Sequence, residues 1–288
     1  MASEPMSAGV PGVISGAAPL RIASVALTVR DLDAVSAFYR DVVGLEILGE
    51  DGEVRTLGAG STPLLELRRD ASARPEDPRS AGLFHTAFLL PGRTDLANWL
   101  QHAATSGVAL DGASDHLVSE AVYLTDPEGN GVEIYADRPS ETWRWRDGLV
   151  EMATRPLDFD DLAAVRAGRW TRAPAGTIVG HVHLRVGALD AAEAFYAKTL
   201  GLDVACRYPG ATFFGSGGYH HHLAGNIWRS RGAQVHSGGS TGLAEVRLTA
   251  DRPEFDAIRT RLGSQAAGGS NQLMAHDPWG TAFVLERA

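Results

Sequence analysis

A chain of 288 residues is long for one domain and suits two, at roughly 100–200 residues per domain. With 44% hydrophobic and 21% charged residues it can close a sizeable core, which excludes a disordered chain, and no apolar run approaches the roughly 20 residues of a membrane span. A formal charge of −9 without a basic stripe excludes nonspecific nucleic-acid and anionic-membrane binding, while the single cysteine, Cys206, excludes an internal disulfide and a cysteine-rich zinc site, as suits the cytoplasm.

Residues 1–19 carry an acidic residue where a signal peptide needs a basic one, and Pro5, Pro11 and Pro19 interrupt them, so a flexible tail is expected. From residue 21, RIASVALTV alternates as a strand, DLDAVSAFYRDVV has apolar residues at helical spacing, and Gly44 follows where a helix would stop. LEILGED, VRTLGAG and PLLELRR are short, partly alternating and separated by turn residues, which completes a β-α-β-β-β module. LFHTAFLLP then reads as a strand and TDLANWLQHAATSG as a helix, and a last strand ends in TDPEGNGVEIY. Residues 137–176, with Trp143, Trp145 and Trp170, form a linker expected to pack on the surface, because large rings seek burial.

The second half repeats the first. IVGHVHLRVGALDAAEAFYAKTLGL (178–202) echoes RIASVALTVRDLDAVSAFYRDVVGL (21–45), and LAEVRLTA, PEFDAIRTRLG and HDPWGTAFVLER echo the second module. The expected fold is therefore α+β, with four βαβββ modules in two tandem halves. Residues 20–136 form one domain and 177–288 the other, two modules each.

The repeat also sorts the ten histidines. His181 stands where the first half has Ser24; His85 opens a strand where the second half has Glu245; Glu133 follows the DPEGN turn where the second half has Val284. Each pair holds one good ligand. Two imidazoles and one carboxylate make an open site for Fe(II), Mn(II) or another divalent metal, catalytic in type. Read singly, each of these residues is an ordinary half-buried histidine or a surface carboxylate; the complementary placement makes the set.

A second cluster lies at His220, His221 and His222, where strand alternation would send His220 and His222 to one face. An inward histidine there could shuttle protons, or the group could orient metal ligands. His222 or His183 could alternatively replace a ligand in a site confined to the second half. His116 could hydrogen-bond a phenolic or carbonyl oxygen or merely fix its loop. Phe213, Phe214, Tyr219 and Trp228, with His183, could line an aromatic substrate cavity or simply fill core. GSGGY lacks dinucleotide-binding spacing.

GLFHTAFLLPGRTDLANWL, GASDHLVSEAVYLTDPEGNGVEIY, GHVHLRV and ATFFGSGGYHHHLAGNIW resemble the vicinal oxygen chelate (glyoxalase, bleomycin resistance, extradiol dioxygenase) superfamily, in its catechol 2,3-dioxygenase-like branch. The resemblance implies modules paired into cup-shaped half-barrels, with His181, His85 and Glu133 at the ligand positions. It further implies an Fe(II)-dependent ring-cleaving oxidoreductase that acts on a catechol-like aromatic substrate with O2, His222, His220 and His116 handling protons and Phe214, Tyr219, Trp228 and His183 holding substrate. It leaves a homodimer open. In the familiar arrangement one half supplies all three ligands, whereas neither half is complete here; pairing of module two with module three would unite them. The alternatives are a glyoxalase-type isomerase or lyase, with Glu245 as the spare carboxylate, and a non-catalytic protein that sequesters an aromatic antibiotic.

Overall fold

The computed structural model describes residues 7–8, 12, 14–235 and 238–288. Module one is β1 (Leu20–Val29), α1 (Leu32–Phe38), β2 (Glu46–Asp51), β3 (Val54–Ala59) and β4 (Thr62–Arg69). Asp31 caps α1 by accepting from the Ala34 N–H, a wider π turn carries the helix on through Val43, and Gly44 ends it at φ 88°, a backbone angle that suits glycine. Module two is β5 (Gly82–Leu89), α2 (Arg93–Thr105), β6 (Gly112–Asp115), β7 (Ser119–Thr125) and β8 (Gly131–Asp137). In the linker Arg155–Pro156 forms β9. Module three is β10 (Ile178–Arg185), α3 (Leu189–Ala192), β11 (Asp203–Tyr208), β12 (Ala211–Gly215) and β13 (Leu223–Asn226). Module four is β14 (Gly242–Ala250), α4 (Arg252–Leu262), β15 (Ala267–Gly268), β16 (Gln272–His276) and β17 (Ala282–Arg287).

The sheets join the middle modules to each other and the outer modules to each other. One runs β9-β6-β7-β8-β5-β10-β13-β12-β11, the other β15-β16-β17-β14-β1-β4-β3-β2. Each is closed at its centre by an antiparallel pair of first strands, β5 with β10 and β14 with β1. The architecture is thus mixed α+β, with four modules curled into paired half-barrels. One apolar core threads both sheets and their helices, including Leu27 and Tyr39, Phe88 and Trp99, Val182 and Tyr196, and Val246 and Phe255 from the four modules in turn. Full burial of such a side chain stabilises by about 1.5–3 kcal/mol.

The paired aromatics of the repeat acquire a reason. Tyr196, on the helical segment after α3, donates its hydroxyl hydrogen to Asp277 Oδ2 at 2.7 Å, and Tyr39 reaches Asp126 Oδ2 at 3.4 Å. These two aspartates open the duplicated turns: Asp126 accepts from the N–H groups of Glu128 and Asn130, and Asp277 from those of Trp279 and Thr281, each at 2.9 Å. Helix and turn of different modules are tied through each pair.

The linker is fastened at several places. The Trp143 indole is buried and donates to the Arg138 carbonyl at 3.0 Å, and β9 adds to the edge of β6. Part of the tail expected at 1–19 lies outside the described residues (1–6, 9–11 and 13). The stretch from residue 14 is docked: Ser15–Ala17 forms a short 3-10 turn, Ser15 Oγ donates to the Gly180 carbonyl at 3.2 Å, and Ala18 is buried.

Candidate active site

Cross-strand register in the nine-stranded sheet builds two rows on its concave face. Tyr123 pairs with Glu133, Glu133 with Ala87 and Ala87 with His181; beside them His85 pairs with His183, His183 with Ala224 and Ala224 with Phe213. Neighbours in register share a face, so five polar groups from four strands meet there. Two register shifts set the aim. In the β5–β10 pair the ladder skips Gly180 on one strand and Phe84 on the other. A Cβ at Gly180 would collide with the Tyr135 hydroxyl, so that position requires glycine. Bulges of this kind re-aim side chains beside functional sites.

Three atoms converge at the meeting point. Glu133 Oε2 lies 2.9 Å from His85 Nε2 and 3.2 Å from His181 Nε2, and the two Nε2 atoms are 3.3 Å apart. All three residues are buried. Burial opposes ionisation of Glu133, yet the facing imidazoles of His181 and His85 hold its carboxyl well below the usual carboxylate range. Burial likewise drives His181 down to about 4, against the pull of Glu133, so the state favoured at neutral pH is a carboxylate facing a neutral imidazole. Those are the protonation states a divalent cation needs of its ligands.

A cation fits this donor set. Ligand atoms at right angles around an ion with bonds of about 2.1 Å stand about 3.0 Å apart, close to the three separations found. A buried carboxylate without a cationic side chain beside it is costly, and a bound ion would neutralise it. Two imidazoles and a carboxylate on one side of an ion leave positions open opposite them.

The opening is a cavity of about 260 Å³. His85, Glu133 and His181 form one wall with Tyr123, His183 and His221; Phe84, Phe213, Tyr208, Trp228 and Met152 supply apolar surface; Ser114, His116, Ser119, Ala153 and Thr154 complete it. His116 Nδ1 donates to the Ala153 carbonyl at 2.7 Å, which makes its Nε2 the acceptor for the Tyr123 hydroxyl at 2.6 Å. Burial and the Glu133 charge raise Tyr123 well above an ordinary phenol, so it keeps that hydrogen. Trp228 stands over Phe84 and His183 with ring centroids 5.4 and 5.6 Å apart, and its indole donates to the Pro209 carbonyl.

The structure brings together His85, Glu133 and His181, and places His116, His183 and Trp228 on the same cavity. It places four other expected site residues elsewhere. His220 and His222 do not line the cavity: the alternation holds, with both packed on Tyr219 on the far side, and His221, against Phe213, is the one that faces in. His220 bonds Asp137, and His222 Nε2 donates to the Ser15 carbonyl at 3.3 Å. Phe214 points into the core against Tyr196, leaving Phe213 on the cavity side, and the Tyr219 hydroxyl donates to Asp137 at 3.2 Å. Tyr123, His221 and the linker residues Met152, Ala153 and Thr154 are additions; register with Glu133 would have found Tyr123, but no local sequence signal marks the linker segment.

The outer pair of modules holds a different arrangement. Glu245, at the position of His85, joins Glu66, Arg68 and Arg247 in a ring of ion pairs, with Arg68–Glu66 at 2.6 Å, Arg68–Glu245 at 3.3 Å and Arg247–Glu245 at 2.5 Å. Its carboxylate is engaged by two guanidinium groups and lies in the other sheet from Glu133.

Residues 21–134 and 178–282 match the family described as the Glyoxalase/Bleomycin resistance protein/Dioxygenase superfamily, and the chain belongs to it. The chain is similar over 269 residues, at 39% identity, to a catechol-2,3-dioxygenase of Bacillus subtilis (strain 168), covering 90% of this chain and 94% of that protein. It is 28% identical over 159 residues to biphenyl-2,3-diol 1,2-dioxygenase 3 of Rhodococcus globerulus, covering 51% of this chain and 81% of that one. Among solved structures, glyoxalase I from Zea mays superposes with a TM-score of 0.57 at 17% identity over 93% of this chain and 92% of that one. The cppA protein from Streptococcus pneumoniae TIGR4 gives 0.59 at 10% identity over 99% and 100%. At these identities the structural likeness speaks for the fold alone.

Proposed function

We propose that this chain is an Fe(II)-dependent extradiol dioxygenase that cleaves the ring of a catechol-like aromatic substrate with O2. The observation that carries the reading is the convergence of His85, Glu133 and His181 at the base of an aromatic-walled cavity. Similarity to two proteins named as dioxygenases of aromatic diols supports it. An iron held by these three side chains would supply chelation of both diol oxygens and activation of O2.

The chain's own groups do the rest. Phe84 and Phe213 hold the ring flat and exclude water from it, and Trp228 stands farther out at the mouth. His221, stacked at 4.1 Å from the His181 ring, is placed to take a hydroxyl proton from the diol. Tyr123 and His116 form a hydrogen-bonded pair on the Glu133 side, through which a proton can pass by way of the Tyr123 hydroxyl, since both His116 nitrogens are engaged. An isomerase or lyase of the glyoxalase kind would need a second carboxylate, and among the described residues of the cavity wall Glu133 is alone.

The test is oxygen uptake by anaerobically purified, Fe(II)-loaded protein across a panel of catechols. Stoichiometric consumption with formation of the coloured ring-opened product is expected. No uptake with any member by metal-replete protein would refute the reading.

A further inference from the structure

We propose that Asp137 and His220 are positioning residues that fix the tautomer of His221, so that its Nε2 meets the cavity as a bare hydrogen-bond acceptor for a substrate hydroxyl. The proposal rests on the dioxygenase reading for the identity of that hydroxyl, and on geometry for the rest.

His220 is fully buried and does not line the cavity, so it touches no substrate. Its Nε2 lies 2.9 Å from Asp137 Oδ1, and its Nδ1 lies 2.7 Å from Nδ1 of His221. An ionised carboxylate only accepts, so Nε2 of His220 carries the hydrogen. A neutral imidazole has one N–H, which makes Nδ1 of His220 an acceptor. The short contact between the two Nδ1 atoms needs a donor, and only His221 can be that donor. Its hydrogen is then on Nδ1, and Nε2 is left bare on a ring that lines the cavity.

The chain of bonds is anchored at both ends. The Asp137 side chain keeps 21% of its surface in solvent and also accepts from the Tyr219 hydroxyl. Tyr219 and Trp143 pack on the His220 ring with centroids 4.1 and 5.0 Å away, so the ring cannot turn over to exchange its nitrogens. An acid–imidazole pair that sets the tautomer of a base is worth orders of magnitude in rate where it has been broken in other enzymes.

The decisive measurement is long-range proton–nitrogen NMR of histidine-labelled, zinc-loaded protein at pH 8, with resonances assigned from His220→Gln and His221→Gln. Hydrogen on Nδ1 of His221 and on Nε2 of His220 is expected; hydrogen on Nε2 of His221 overturns the proposal. Asp137→Asn removes the fixed acceptor, because an amide offers a hydrogen as readily as a lone pair. It is expected to lower kcat with iron by about 100-fold or more, with KM within about twofold and metal content unchanged. Unchanged kcat in folded Asp137→Asn also overturns it. If wild-type protein opens no catechol, the dioxygenase reading fails, and the spectra still decide the tautomer.

Discussion

Nε2 of His85 and Nε2 of His181 lie 3.3 Å apart across the antiparallel pair of β5 and β10, although 96 positions separate the two residues in the chain. The metal centre proposed here therefore exists only when modules two and three are joined. His85→Ala, His181→Ala and Glu133→Ala should each weaken binding by at least about 100-fold, since loss of even an outer partner costs about 10–100-fold. Metal analysis after dialysis should find about one ion per wild-type chain and almost none in the variants. Retention of metal in His85→Ala would place the site within the second half alone.

Glu245 occupies the repeat position of His85 but is committed to Arg68 and Arg247. Glu245→Ala should leave metal content and oxygen uptake unchanged while costing about 1 kcal/mol of stability, as partly exposed ion pairs do. Loss of metal in this variant would revive a site that draws on the outer modules.

Metal-free protein should lose stability as pH falls below about 6.5. Burial pulls His222 down to about 3 and His181 down to about 4, and carries His183 and His221 well below the ordinary imidazole value. An unfolded imidazole titrates near 6.5, so between that pH and the folded values the unfolded chain takes up protons that the folded chain refuses. The stabilisation is complete above about pH 6.5 and drains away at up to about 1.4 kcal/mol per pH unit for each such histidine. Glu76, Asp126 and Asp277, raised chiefly by burial, act with the opposite sign, losing stability as pH rises through the carboxylate range. Comparison with His222→Gln, whose amide can still donate to the Ser15 carbonyl, isolates the histidine: its urea midpoint should fall less steeply from pH 7 to pH 5. Parallel curves would show that His222 does not titrate on unfolding.

The sequence was most legible where duplication supplied a comparison. His85, Glu133 and His181 stand out because Glu245, Val284 and Ser24 show what the same positions hold without them. The helix tyrosines Tyr39 and Tyr196 recur for a reason that needed the fold, since their partners Asp126 and Asp277 lie 87 and 81 residues away. The histidine run was misread by one position because alternation parts His221 from His220 and His222 without saying which face meets the cavity, and the contact of His221 with Phe213 decides that only in the fold. Phe213 and Phe214 are likewise adjacent aromatics whose faces only the β12 register separates. Met152, Ala153 and Thr154 carry no local pattern; their role follows from β9 pairing with β6, a long-range contact.

Trp228 and the absence of any lysine or arginine from the described cavity wall bear on which catechols are accepted. Trp228 is 49% exposed at the mouth, beside Tyr208 at 39%, so a substituent on the diol ring would lie between aromatic surfaces and solvent. An alkyl or aryl substituent gains apolar contact there, at about 25 cal/mol per Å². A carboxylate on the ring would leave water without a cationic side chain on the described wall to meet it. Uncharged alkylcatechols should therefore exceed dihydroxybenzoates in kcat/KM by about 100-fold or more, a difference of about 3 kcal/mol. Trp228→Ala should raise KM for 4-alkylcatechols by roughly tenfold and leave unsubstituted catechol nearly unaffected, because the lost surface lies beyond the diol ring. Trp228→Arg should narrow the gap for dihydroxybenzoates, since a guanidinium at the mouth supplies the missing partner. Equal kcat/KM for charged and uncharged catechols in the wild type would show that ring substituents do not meet this wall.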